Sequence, residues 1–191
     1  MGGKDRAMAI PVIHLPRKEM LNCLARFDDL RIIEGGLPDA DLPGYKRNFR
    51  TVLGFIPPDD EAGARVSPVP SSMRSHLSHL RTGYGLAYVS CEVGQGVMKH
   101  AHDTIETFVI MNGKWRMIWD DETGEDHVDV GPLDVFSFPA GVMRRFYCLE
   151  TPEGMDRATV MGLVSGENPA AEYAPECIEE LIAAGRLEPA E

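Results

Sequence analysis

Between residues 83 and 165 apolar and polar positions alternate in short runs, separated by clusters of Gly, Pro, Asn and Asp. The runs fall at 85–93, 105–111, 114–119, 127–130, 134–138, 143–149 and 158–164. A period of two places alternate side chains on one face, so each run predicts a strand. Short strands at near-regular spacing, with turn residues between them, predict an antiparallel sandwich or barrel. Asn112-Gly113, set between two of the runs, reads as the turn of a tight hairpin. The two ends of the chain have a different rhythm. Pro16 precedes Met20, Leu24 and Phe27 at helical spacing, which predicts a helix over 17–27. Pro175 precedes Ile178, Leu181 and Ile182, which predicts a second helix from 175 to about 184, closed by Gly185. Phe49, Val52, Leu53 and Phe55 suggest a further strand within 45–56.

This pattern divides the chain into an N-terminal extension (1–56), a loop (57–75), a β unit (76–165) and a C-terminal helical tail (166–191). Prolines and small polar residues, from Pro57-Pro58 to Pro68-Val69-Pro70, exclude a central strand or helix from the loop. A loop of that length is a linker, a lid or a binding loop.

Composition narrows the class. There are 19 Gly and 14 Pro in 191 residues, an excess over the usual ~12% that suits a turn-rich β fold rather than a helical bundle. The net charge of −11 repels phosphate backbones, so a nucleic-acid partner is not expected. No apolar stretch approaches the ~20 residues that span a bilayer. The N-terminus lacks the apolar core of a signal peptide. Cys23, Cys91, Cys148 and Cys177 are widely spaced, as reduced thiols of a cytoplasmic protein would be.

The candidate chemistry lies at His100, His102 and Glu106. Two histidines two residues apart on a strand face the same way. Glu106 opens the next strand and shares a face with Phe108 and Ile110, so within one sheet it would meet both imidazoles on the inner side. Two imidazoles and a carboxylate form the facial set that holds a divalent metal with positions left open. Trp115, Met117 and Trp119 share one face of their strand and read as core, a dimer contact or a pocket wall. Tyr45, Arg47 and Arg50 would reach the mouth of the β unit if the extension folds across it.

The full string is G-x5-H-x-H-x3-E-x6-G, at Gly94, His100, His102, Glu106 and Gly113. It resembles the first motif of the cupin superfamily, with every position matched. The resemblance implies a single all-β domain, an antiparallel jelly-roll β-barrel, with this chain's extension and C-terminal helix added to it. It also implies metal-ligand positions at His100, His102 and Glu106 for iron, manganese, nickel, copper or zinc, and a homodimer. The second cupin motif, G-x5-P-x-G-x2-H-x3-N, is matched only at Pro139 and Gly141. Leu133 stands at its first glycine, Arg144 at its histidine ligand and Cys148 at its asparagine.

Arginine stays protonated and cannot ligate a cation. Arg144 therefore binds an anionic group of a substrate, pairs with Glu106 in a metal-free site, or bends outward as a surface residue. If it faces inward, Phe146 and Cys148 do too, while Arg145 and Tyr147 face out. Two functions follow. One is a metal-dependent enzyme, a dioxygenase or isomerase acting on a small anionic, aromatic compound held by Arg144, Phe108 and Phe146. The other is a non-catalytic small-molecule binding or sensor module.

Overall fold

The structure is a computed structural model that describes residues 10, 12–56, 71–167 and 169–188. Its strands are β1 (Ile33–Glu34), β2 (Asn48–Leu53), β3 (Tyr84–Cys91), β4 (His100–His102), β5 (Glu106–Ile110), β6 (Lys114–Asp120), β7 (Glu125–Val130), β8 (Val135–Phe138), β9 (Arg144–Glu150), β10 (Ala158–Ser165) and β11 (Ala171–Tyr173). Two α-helices, α1 (Arg17–Leu21) and α2 (Pro175–Ala183), lie at the ends. The strands form a six-stranded sheet in the order β1-β2-β3-β10-β5-β8 and a five-stranded sheet in the order β11-β4-β9-β6-β7. Every pairing between strands is antiparallel. This is a jelly roll of two separately hydrogen-bonded sheets, not one sheet closed into a barrel.

The inward faces of both sheets supply the core. Phe108 and Ile110 on β5, Trp115 and Met117 on β6, Phe138 on β8, Phe146 and Cys148 on β9 and Val160 on β10 are all buried in one cluster. Phe146 is the hub of an aromatic set, with ring centroids 4.7 Å from Phe108 and 5.8 Å from Trp115. Trp119 stacks on Phe136, which remains partly buried, while Val135 on the other face of β8 is exposed. The side chains along β9 alternate as expected, with Arg144, Phe146 and Cys148 buried and Arg145 and Tyr147 less so.

Two expectations about connectivity fail for one reason. Asn112-Gly113 does not close a hairpin, because β5 and β6 belong to different sheets. It is a corner between them. Gly113 has φ of 71°, Asn112 Oδ1 accepts from the Thr159 N–H at 2.7 Å and the Asn112 carbonyl accepts from Trp115 Nε1 at 3.0 Å. Likewise β4 and β5 lie in opposite sheets, so Glu106 faces the histidines across the sandwich rather than along one sheet. Alternation fixes the face of a residue and is silent about the sheet to which its strand is hydrogen-bonded.

The extension holds strand and little helix. Helix α1 stops at Leu21, well short of residue 27, and buries none of its residues. Met20 and Leu24 find no tertiary surface, and an unsupported helix shorter than ~12 residues is marginal in water. By contrast β2 is a full member of the larger sheet beside β3, with Phe49 and Val52 buried. At the other end, α2 packs Cys177 and Leu181 against Met98 and Ala174, with Ile178 and Ile182 half-buried at the margin. Most of the 57–75 loop lies outside the described residues. Its last part, Ser71–Met73, is a 3-10 turn that delivers Met73 into the core. Among the described residues no helix is long and apolar enough to cross a membrane.

Candidate metal centre

His100 and His102 project from β4 in the five-stranded sheet, and Glu106 from the start of β5 in the other. One donor atom from each lies within 4.8 Å of the others. His102 Nε2 is 3.8 Å from Glu106 Oε2. Each imidazole is oriented from behind by a backbone carbonyl. His100 Nδ1 is 2.7 Å from the Met98 carbonyl oxygen and His102 Nδ1 is 2.7 Å from that of Ala170. A carbonyl only accepts, so both Nδ1 atoms carry the proton and both Nε2 lone pairs remain for a ligand. Carbonyl support of this kind is how proteins fix metal-binding histidines. Burial, then the charges of Arg144 and His102, push the His100 pKa down to about 4, which keeps the ring neutral. Burial alone raises the Glu106 pKa. The neighbouring His102, Arg144 and His100 and the Arg144 hydrogen bonds outweigh it and hold the carboxyl below its usual range. The donor set of two imidazoles and an ionised carboxylate fits a divalent transition metal.

The turn between β8 and β9 locks against this set. Gly141, with φ of 78°, donates its N–H to the His102 carbonyl at 2.9 Å. Arg144 enters the interior immediately after that turn, opposite His100 in the β4–β9 pairing. It is 1% exposed, which excludes the surface reading. Its Nη2 and Nε donate to Glu106 Oε2 at 2.8 and 3.2 Å, and Nη1 donates to the Val142 carbonyl at 3.3 Å. Arg144 is therefore placed behind Glu106 and is absent from the cavity lining, contrary to the expectation of an anion anchor facing a ligand.

The three donors line a small, mostly apolar cavity of about 90 Å³. Phe108 and Phe146 form part of its wall, together with Phe49 and Val89. Trp115, Met117 and Trp119 do not reach it, the first two being core. Arg47 does, as the placement of the extension across the mouth allowed, whereas Arg50 covers the Phe27 ring and Tyr45 packs in the cluster around α2.

Two cavity residues gave no signal in the sequence. Asp39 is buried and receives four hydrogen bonds: Arg47 Nη2 at 2.7 Å and Tyr173 Oη at 3.0 Å on Oδ1, Arg47 Nη1 at 2.9 Å and the Met98 N–H at 3.0 Å on Oδ2. Burial raises its pKa, but the charge and hydrogen bonds of Arg47 and the Met98 N–H prevail and leave it below the usual carboxylate range. Tyr173 lies on β11 directly across from His100, with ring centroids 6.3 Å apart. A three-residue strand is too short to show an alternation, and Asp39 sits in an irregular segment between Pro38 and Ala40.

No family model and no curated protein matches the sequence. Solved structures do match. The polyketide cyclase RemF from Streptomyces resistomycificus superposes with a TM-score of 0.51 at 14% identity, covering 79% of this chain and 84% of that one. The vicilin from Solanum melongena superposes with a TM-score of 0.52 at 11% identity, over 83% of this chain and 36% of the much longer vicilin chain. A cupin superfamily protein from Desulfitobacterium hafniense matches over 45% of this chain and 70% of its own, with a TM-score of 0.38 and 16% identity. Likenesses at this identity concern the fold alone, and the fold shared with the first two is the jelly roll.

Proposed function

We propose that this cupin jelly roll holds one divalent transition metal on His100, His102 and Glu106, and that a small aromatic compound reacts beside it. The observation that carries the reading is the pair of Nδ1–carbonyl hydrogen bonds, which leaves both Nε2 atoms free to face Glu106. When bound, iron, manganese, nickel, copper or zinc supplies a Lewis acid with open positions, suited to dioxygenase- or isomerase-type chemistry. The chain's own residues do the rest. Phe108 and Phe146 offer flat apolar contact to a ring. Arg144 fixes the Glu106 carboxylate and keeps it ionised, and its charge beside the centre favours an anionic oxygen on the compound. Arg144 thus acts on an anionic ligand through charge and through Glu106 rather than by direct contact.

A second reading has its own observation. The Arg144–Glu106 pair neutralises the carboxylate without any metal, and the cavity would then be that of a binding or sensor module. Elemental analysis of the purified protein and calorimetric titration with zinc and manganese separate the two. One equivalent of metal, lost in His102→Ala and kept in Phe146→Ala, supports the metal centre. Absence of binding to wild type overturns it in favour of the binding module.

Association of two copies belongs to the same proposal. Ile10, Val12, Ile13, Met20, Leu24 and Ile32 are exposed along the extension. A second copy would cover it, and a monomeric mass in light scattering refutes that. Three buried free cysteines suit a reducing, cytoplasmic setting.

A further inference from the structure

Beside the candidate metal ligands, the cavity wall carries a polar group that metal binding does not use. Asp39, Arg47 and Tyr173 all line the cavity. A carboxylate offers about four acceptor sites, and those of Asp39 are taken by two Arg47 nitrogens, the Tyr173 hydroxyl and the Met98 N–H. Asp39 has nothing left to offer a ligand. Tyr173 has donated its only hydroxyl proton to Asp39, so its oxygen can act toward a ligand only as an acceptor. In the same wall Arg47 is 4% exposed, and its Nε–H, buried, has no acceptor among the described residues. That nitrogen has no surface a ligand could reach, so the wall presents one free acceptor, the Tyr173 oxygen.

A ligand hydroxyl can donate to it. A carboxylate cannot donate to Tyr173, and an ether cannot either. We propose that Tyr173, held by Asp39 and Arg47, is a ligand-selecting residue that admits a neutral hydroxyl on the compound, set apart from the oxygen that faces His100, His102 and Glu106. The inference deepens the metal-centre reading in assigning that second oxygen to the metal. Its hydroxyl selectivity depends only on the cavity wall. The ligand class is thus a hydroxylated aromatic with two separated oxygens, one anionic and one a neutral hydroxyl.

Three meta-substituted benzoates test it: 3-hydroxybenzoate, 3-methoxybenzoate and isophthalate, titrated calorimetrically into zinc-loaded and metal-free protein. The meta arrangement prevents chelation, so the second substituent reports on the wall alone. Wild type should bind 3-hydroxybenzoate about five- to tenfold more tightly than either of the others, the worth of one net hydrogen bond. In Tyr173→Phe that preference should fall to within about twofold, with zinc stoichiometry unchanged. Equal affinities in wild type, a preference for isophthalate or for the methoxy compound, a preference that survives in Tyr173→Phe, or no binding of any probe overturns the proposal. The wild-type comparison stands even if the variant folds poorly. Failure of zinc to bind, with the preference for 3-hydroxybenzoate intact in metal-free protein, overturns the metal centre and leaves Tyr173 as the selector.

Discussion

Replacing Arg144 by methionine keeps most of its volume and removes its charge, and two opposite effects follow. Arg144 is 1% exposed and bonded to a carboxylate whose side chain is 16% exposed. Breaking a fully buried pair by removing one partner costs ~3–5 kcal/mol. Glu106 keeps some contact with the cavity, so a cost of about 2–3 kcal/mol is expected. In a chain of this size that lowers Tm by roughly 5–10 °C. Metal affinity moves the other way. A cation on the same carboxylate lies within about 5 Å of the guanidinium, and at an effective dielectric of about 20 each unit of charge there opposes it by about 3 kcal/mol. Partial exposure screens this, and a gain in affinity of about ten- to a hundredfold remains for Arg144→Met. Arg144→His should gain more, since it also restores a third imidazole. The assay is a zinc competition titration against a chromogenic chelator, with thermal melts in the presence and absence of zinc. A methionine variant that binds zinc no more tightly than wild type, or melts at the same temperature without metal, refutes the reasoning.

Three other outcomes are expected. Leu133 takes φ of 72° while 81% exposed, so Leu133→Gly should relieve left-handed strain and raise stability by about 0.5–1 kcal/mol after the entropic cost of glycine, read from urea midpoints. At Gly113 an added Cβ would stand 2.4 Å from Ala158 Cβ and 2.5 Å from the Glu150 carbonyl oxygen, so Gly113→Ala should lose more than about 3 kcal/mol and expose the core to a hydrophobic dye; a native melt contradicts the corner described for it. The depressed pKa of Asp39 means that its stabilising contribution is complete above its unfolded value of 3.8 and is lost as pH falls through the lower folded value. Asp39→Asn should therefore be less stable at neutral pH and show a shallower decline on acidification than wild type, and parallel Tm–pH curves would count against it.

Strands β3, β5, β6 and β9 were legible because one face of each is buried, and burial of one face writes a period of two into the sequence. The assignment of strands to sheets was not. Asn112-Gly113 has the chemistry of a hairpin turn, yet its side chain and carbonyl are anchored to Thr159 and Trp115, and the chain crosses from one sheet to the other. The residues of the candidate metal site were legible as a set, though the route by which they meet was not. Arg144 was visible as a departure from the motif, and its partner required the Glu106 geometry. Asp39 and Tyr173 come from segments that carry no periodicity, and they join the site only through tertiary contact. The helix expected over 17–27 fails for the complementary reason: its apolar spacing is real, but Met20 and Leu24 stay exposed, and Phe27 finds its partners, Tyr88 and Arg50, beyond the end of α1.

Because the imidazoles hang from one sheet and the carboxylate from the other, a bound ion is a clasp across the sandwich. Every opening that parts the sheets must first release it. At a free metal concentration a thousandfold above Kd, linkage adds about 4 kcal/mol to that opening. The clasp can close only after both sheets have formed and docked, so it should leave the rate of folding almost untouched and slow unfolding instead. Amide exchange in strands of both sheets, far from the ligands themselves, should slow together when metal is added. The ion would act on the lifetime of the folded molecule as much as on the chemistry inside it.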